Sequence, residues 1–128
     1  MWWIGSCAKD AATVLVVDDN LQYMYHINMN ESGYIDFEWD GRKAETNVGK
    51  HAVTFSEACE SFYDPYARVI DDPDHSGDEE RFILIGMSMS ARVLTVCHCV
   101  RGEGSTIRII SARKSTRNEE RQYWRWRK

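Results

Sequence analysis

Three β-rich runs constrain this chain most: residues 81–88, 92–101 and 106–113 follow one another almost without a break. Only residues 88–91 and 102–105 separate them, which is hairpin length. Links that short join antiparallel neighbours, because a parallel crossover needs a dozen residues or more. An antiparallel meander is therefore expected at the centre of the fold. Residues 67–70 read as a further strand before it. Phe37, Glu38 and Trp39 alternate apolar and polar, as a short strand does.

Helices occupy much of the remainder. Asp40 is placed to cap a helix reaching Lys50, with Ala44 and Val48 four apart on one face and charges on the other. Thr54 and Glu57 have capping-box spacing. They open a second short helix with Phe55, Ala58, Cys59 and Phe62 inward, and Asp64 and Pro65 stop it. Thr116 and Glu119 repeat that spacing ahead of a final helix. Residues 71–80 (DDPDHSGDEE) read as a solvated polar loop. The order β-α-α-β-β-β-β-α predicts an α+β fold: a small antiparallel β-sheet with two N-terminal helices and one C-terminal helix.

That pattern fills residues 35–128, the expected domain. Residues 1–34 differ in character and read as an extension: an added strand, a flexible arm, or the product of an upstream start codon with Met24 or Met29 as the native start. Residues 13–20 (TVLVVDDN) look like the first strand of a receiver domain, but no later strand ending in Asp or Lys follows, so that reading is set aside. No run approaches the roughly 18 apolar residues of a membrane span. A cytoplasmic protein with no membrane partner is expected.

Charge is unevenly spread. Residues 101–128 hold nine Lys/Arg against three acids, a balance of +6, while residues 1–100 hold seven against seventeen, a balance of −10. A cationic end of this kind suits a polyanion such as RNA or DNA, although a basic helix can also be merely solvated. The four cysteines, Cys7, Cys59, Cys97 and Cys99, match no structural zinc spacing. They are expected to be reduced and packed as small hydrophobes, with Cys97 and Cys99 on one side of a strand and His98 on the other. No metal and no cofactor is expected.

An ordered set of residues resembles the BrnT toxins. It begins with Phe37-Glu38-Trp39-Asp40, Lys43-Ala44, Asn47, Lys50-His51, Phe55 and Glu57-Ala58. It continues with Asp64-Pro65, Glu80-Arg81, Ile85-Gly86, residues 107–114 (IRIISARK), Glu120-Arg121 and Tyr123. The resemblance covers roughly residues 36–123 and implies a RelE-like fold and a ribonuclease toxin of a type II toxin–antitoxin pair that inhibits translation. It implies a BrnA-type ribbon-helix-helix antitoxin as partner, a 2:2 hetero-oligomer, and contact with operator DNA only through the antitoxin. Ala52 departs from the pattern, standing where the family usually has Gly after the Lys-His pair. If that position needs positive φ, Ala is strained there.

Metal-independent RNA cleavage needs a base for the ribose 2′-OH, stabilisation of a phosphorane, and a proton for the departing 5′ oxygen. Guanidinium groups suit the charged phosphorane, since they stay ionised and grip oxygens in pairs. Histidine suits both proton transfers. The product would be a 2′,3′-cyclic phosphate. Arg81, Arg108 and Arg113 are the candidates for charge stabilisation, and His51 and His98 for acid–base work. Arg81 also follows three acids, and each arginine has an ordinary ion-pair reading. Arg108 and Arg113 are five apart, so they share a face only if a bulge or the strand end re-aims one. His51 is equally suited to a helix C-terminus, and His98 to a satisfied core position. Lys50, Lys114 and Arg117 are candidates for holding the RNA backbone. Tyr123 is suited to stacking on a base or to packing the last helix on the sheet. The alternative functions are an inactive RelE-like module that acts with the antitoxin as a co-repressor, and a nucleic-acid-binding protein with no toxin role.

Overall fold

A computed structural model describes residues 3–4, 13–70 and 80–128. Cys7, His75 and nearly all of the acidic loop lie outside the described residues. The elements are β1 (Trp3–Ile4), β2 (Thr13–Val17), β3 (Tyr23–Asn28), β4 (Asp36–Glu38), α1 (Gly41–His51), α2 (Phe55–Glu60), β5 (Arg68–Ile70), β6 (Phe82–Met87), β7 (Val93–Arg101), β8 (Thr106–Lys114) and α3 (Arg117–Trp126). A 3-10 turn, Ser61–Tyr63, follows α2 directly.

The α+β class and the three helices are as expected, and β6, β7 and β8 form the antiparallel meander. The sheet itself differs from the expectation. It has five strands in the order β4-β8-β7-β6-β5, and it is mixed, because β4 runs parallel to β8. The segment between β4 and β5 contains two helices, which is the long crossover that parallel pairing requires. A second, three-stranded sheet, β1-β2-β3, is built from the residues read as an extension.

One face of the large sheet packs Leu84, Leu94, Val96, Ile107, Ile109 and Ala112 against Phe55, Ala58 and Phe62. Val14, Val16, Tyr25 and Ile27 of the small sheet belong to this same core. The opposite face is covered at one end by α3, where Tyr123 packs on Ile85 and Val93 with Ile70, Met87 and Trp126 at the margin. Gly86 permits close approach on the first face: a Cβ there would lie 2.7 Å from the Ser61 carbonyl oxygen.

The caps explain the helix limits. Asp40 accepts from the amides of Arg42 and Lys43 and starts α1. Ala52 ends it in the left-handed region at φ 55°, so the position does require positive φ. Thr54 caps α2 by accepting from the Glu57 amide. Glu57 does not return the bond; its carboxylate instead receives Ser88 and the guanidinium of Arg92, which holds the carboxyl below its ordinary pKa. The box at α3 is complete, with Thr116 and Glu119 each accepting the other's amide.

Candidate active site

Strand β8 carries the arginines, and its alternation breaks once. Cys97 pairs with Ser111, but His98 pairs with Ile109, so Ile110 is an extra residue, a β-bulge. A regular strand would point Arg108 and Arg113 to opposite faces. The bulge puts both on the face away from Ile107, Ile109 and Ala112, which are buried in the main core. Arg108 registers with Cys99 on one side and Glu38 on the other. Arg81 precedes Phe82, the partner of His98, and so stands level with Cys99. Glu38, Arg108 and Cys99 therefore form one row across β4, β8 and β7, and Arg81, just ahead of β6, extends its line.

Sharing a face does not gather Arg108 and Arg113 at one point. At about 3.3 Å per residue, Arg108 and Arg113 lie on the order of 15 Å apart along β8, too far to grip one phosphate. Each also has its own carboxylate. Arg108 Nη1 donates to Glu38 Oε2 at 3.0 Å, and Arg101 Nε lies 3.5 Å from the same oxygen. Two guanidiniums around one carboxylate leave that cluster with a net positive charge. Arg113 donates through Nη1 and Nη2 to the two oxygens of Glu119, at 2.7 and 3.0 Å. Glu119 Oε1 also accepts from Thr95 Oγ1 and the Thr116 amide. Burial tends to raise the Glu119 pKa, but these hydrogen bonds outweigh it and hold the carboxyl down to about 2. Arg113 is thus fixed in position by a bidentate pair, with 38% of its side chain still open to solvent.

A cleft of about 270 Å³ opens beside the bulge, lined by Arg42, Lys43, Thr46, Lys50 and His51 of α1 and by Ile110 and Ser111 of β8. It lies where β4 has ended and the β8 edge is no longer paired by a strand. Asn47 replaces the missing strand. Its Nδ2 donates to the Ala112 carbonyl at 2.7 Å and to the Val53 carbonyl at 2.9 Å, and its Oδ1 accepts from the Ala112 amide at 3.1 Å. This side chain locks α1 to β8 and so places Lys50 and His51 beside the bulge. Both are exposed in the last helical turn, where cations complement the helix dipole. Ser111, at the cleft wall, is two residues from Arg113. Lys114 and Arg117, both exposed, continue the cationic surface beyond it.

Two expected site residues are displaced into cores. His98 has no solvent exposure. The Tyr25 hydroxyl donates to its Nε2 at 2.5 Å, and its Nδ1 donates to the Val96 carbonyl at 3.2 Å. Desolvation by burial lowers its pKa to about 4. A neutral imidazole with both nitrogens engaged has no path to substrate. Tyr123 is also fully buried, and its hydroxyl donates to Asp64 Oδ2 at 2.6 Å, so it packs α3 rather than stacking on RNA. Sequence reasoning missed the partners Glu38, Arg101 and Glu119 and the positioning role of Asn47. Asn47 had a signal, a polar residue on the α1 face that carries Ala44 and Val48. Among the described residues, no group of three or more His, Cys, Asp or Glu side chains is placed to share a metal ion, and no helix is long and apolar enough to cross a membrane.

Comparison with known proteins bears on this arrangement. No curated protein matches the chain. Among solved structures, the ribonuclease toxin BrnT of Brucella abortus is similar, with 21% identity and a TM-score of 0.50 over 65% of this chain and 99% of that one. At that identity the likeness concerns the fold. The family model for the ribonuclease toxin BrnT of type II toxin–antitoxin systems matches residues 39–119, which include α1, the bulged strand and the Arg113–Glu119 pair. The chain belongs to the BrnT family of ribonuclease toxins of type II toxin–antitoxin systems.

Proposed function

We propose that the chain is a metal-independent endoribonuclease that inhibits translation by cutting RNA in the cytoplasm. The observation that carries this reading is the cleft in which His51 and Lys50 meet the bulged strand, with Arg113 fixed two residues beyond Ser111. His51 is the one candidate histidine left in contact with solvent and so takes the acid–base role. It removes the 2′-OH proton, the 2′ oxygen attacks the adjacent phosphorus, and the bond to the 5′ oxygen breaks as that oxygen takes a proton relayed from the His51 imidazolium through water, giving a 2′,3′-cyclic phosphate and a 5′-hydroxyl. Arg113 stabilises the phosphorane charge. Arg108 and Arg81, on the order of 15 Å further along the sheet, act on a neighbouring segment of the strand. Lys50, Lys114 and Arg117 hold the RNA backbone.

A partner of BrnA type, with a ribbon-helix-helix domain for operator DNA, would neutralise the toxin in a 2:2 assembly. An acidic partner segment suits the cationic face that RNA would otherwise occupy. The ion pairs favour a second reading. Arginines already held by Glu38 and Glu119 also suit a binding module that represses transcription with the antitoxin and cuts nothing.

Induced expression in a bacterial host separates the two. The nuclease reading expects growth arrest and loss of RNA that Arg113→Lys reduces and Arg113→Ala abolishes while circular dichroism shows a folded protein. It also expects 2′,3′-cyclic phosphate ends, no cleavage of DNA or 2′-O-methyl RNA, and full activity in chelator. Normal growth with intact RNA at high expression overturns it.

A further inference from the structure

The outer face of α3 carries a feature that the cleft does not use. Arg117, Arg121 and Arg125 recur every fourth residue, and all three are exposed. Their Cα atoms rise by about 6 Å per step. They lie opposite the packed side of the helix, which carries Tyr123 and Trp126. Trp124, with 45% of its surface open, stands beside them at the same sector of the helix. Its ring is braced edge-on against Tyr123 at 5.4 Å and by the Arg127 guanidinium at 5.2 Å.

Among the described residues, none of these three arginines has a carboxylate within ion-pair distance. Both arginines of β8, Arg108 and Arg113, are by contrast paired. Like charges four apart destabilise a helix, and a merely solvated face would alternate signs. Glu119 is taken up by Arg113, and Glu120 is half-buried. A column of guanidiniums at that repeat matches the spacing of successive backbone phosphates, and an open indole beside it gives a base a face to stack on.

We infer that the outer face of α3 is an accessory binding site for single-stranded RNA, which follows Arg117, Arg121 and Arg125 as it leaves the cleft and stacks one base on Trp124. Arg117 follows Lys114 by three residues and both are exposed, so the column begins beside the cationic end of β8. This inference rests on RNA being the substrate of the cleft, and it makes binding depend on length: a short oligonucleotide engages the cleft alone, while a longer strand reaches the helix.

The test uses full-length protein and fluorescence anisotropy with 2′-O-methyl oligoribonucleotides of four and twelve nucleotides, which bind without being cut. Wild type should bind the twelve-mer far more tightly than the four-mer. Arg121→Ala/Arg125→Ala should weaken the twelve-mer by about tenfold and lower the slope of log affinity against log salt by about 1.4. Trp124→Ala should weaken it on the order of tenfold with the slope unchanged. Four-mer binding should stay constant in both variants. Equal affinity of wild type for the two lengths overturns the site. So does a double variant that binds RNA normally but escapes neutralisation by the antitoxin, which would make this face a protein-docking surface. Cleavage of ordinary RNA by wild type is scored separately: length-dependent binding without cleavage supports the helix site and sinks the nuclease reading, whereas cleavage without length dependence does the reverse.

Discussion

Acidification should destabilise this protein through one imidazole before Glu119 takes part. His98 is buried without exposure between β6, β8 and the Tyr25 ring, with a pKa near 4 against 6.5 in a free side chain. The unfolded chain therefore binds a proton that the native state refuses between those values. The contribution of this group is complete above pH 6.5, falls as pH drops through 6.5, and is lost in full near 4. At about 1.4 kcal/mol per pKa unit the whole effect is about 3 kcal/mol, of which about 2.5 kcal/mol is gone by pH 4.5. For a chain of this size that lowers Tm by roughly 10 °C. Glu119 acts in a separate window. Its depressed pKa contributes stability that is present above 4.5 and lost as pH falls toward 2. Urea denaturation followed by tryptophan fluorescence at pH 7.5, 6.0 and 4.5 reads the effect directly. In Tyr25→Phe/His98→Leu, which removes the pair together and strands no hydroxyl, the decline between pH 6.5 and 4.5 should disappear. An unchanged decline in that variant refutes the assignment, as does an NMR titration of the folded protein that puts this imidazole near 6.5.

Ala52→Gly should raise stability by about 0.5–1 kcal/mol, read as a higher urea midpoint, because relief of left-handed strain exceeds the extra chain entropy of glycine. Asn47→Ala should cost about 2–4 kcal/mol, since it strands buried backbone groups of Ala112 and Val53, and the same urea series measures it. Glu38→Gln should tighten binding of 2′-O-methyl RNA at low salt and steepen its salt dependence, because Arg101 and Arg108 lose the carboxylate they share.

What the sequence disclosed was local. Strands β6, β7 and β8 and all three helix starts follow from alternation and from Asp40, Thr54 and Thr116, each acting within a few residues. The parallel pairing of β4 with β8 was hidden because Phe37 meets Ile107 across seventy residues, and no pattern near either one encodes it. Alternation correctly set His98 against Cys97 and Cys99, yet it could not tell which side of the strand was the core. That depended on Tyr25, which comes from a hairpin with no counterpart in the resemblance. At the site, the cationic residues were visible by type, and the need for a bulge was deducible from the spacing of Arg108 and Arg113. The carboxylates that hold them were not, because Glu38 reaches Arg108 only after the crossover. Tyr123 suited two roles equally until the packing of α3 on Ile85 and Val93 chose one.

The irregularity at Ile110 has a consequence for how the protein tolerates change. Deleting that one aliphatic residue would restore a perfect ladder and leave the facing of everything after it as it is, because Ser111, Ala112 and Arg113 already pair in step with Cys97, Val96 and Thr95. Drawing Ile110 into the ladder, or adding one residue to the paired stretch, would instead drive Arg113 into the oily interior and turn Ala112 to water. A residue with no reactive group thus absorbs the odd count that would put the charges on the wrong side of the molecule, and the gene is more vulnerable to a gained codon there than to a lost one.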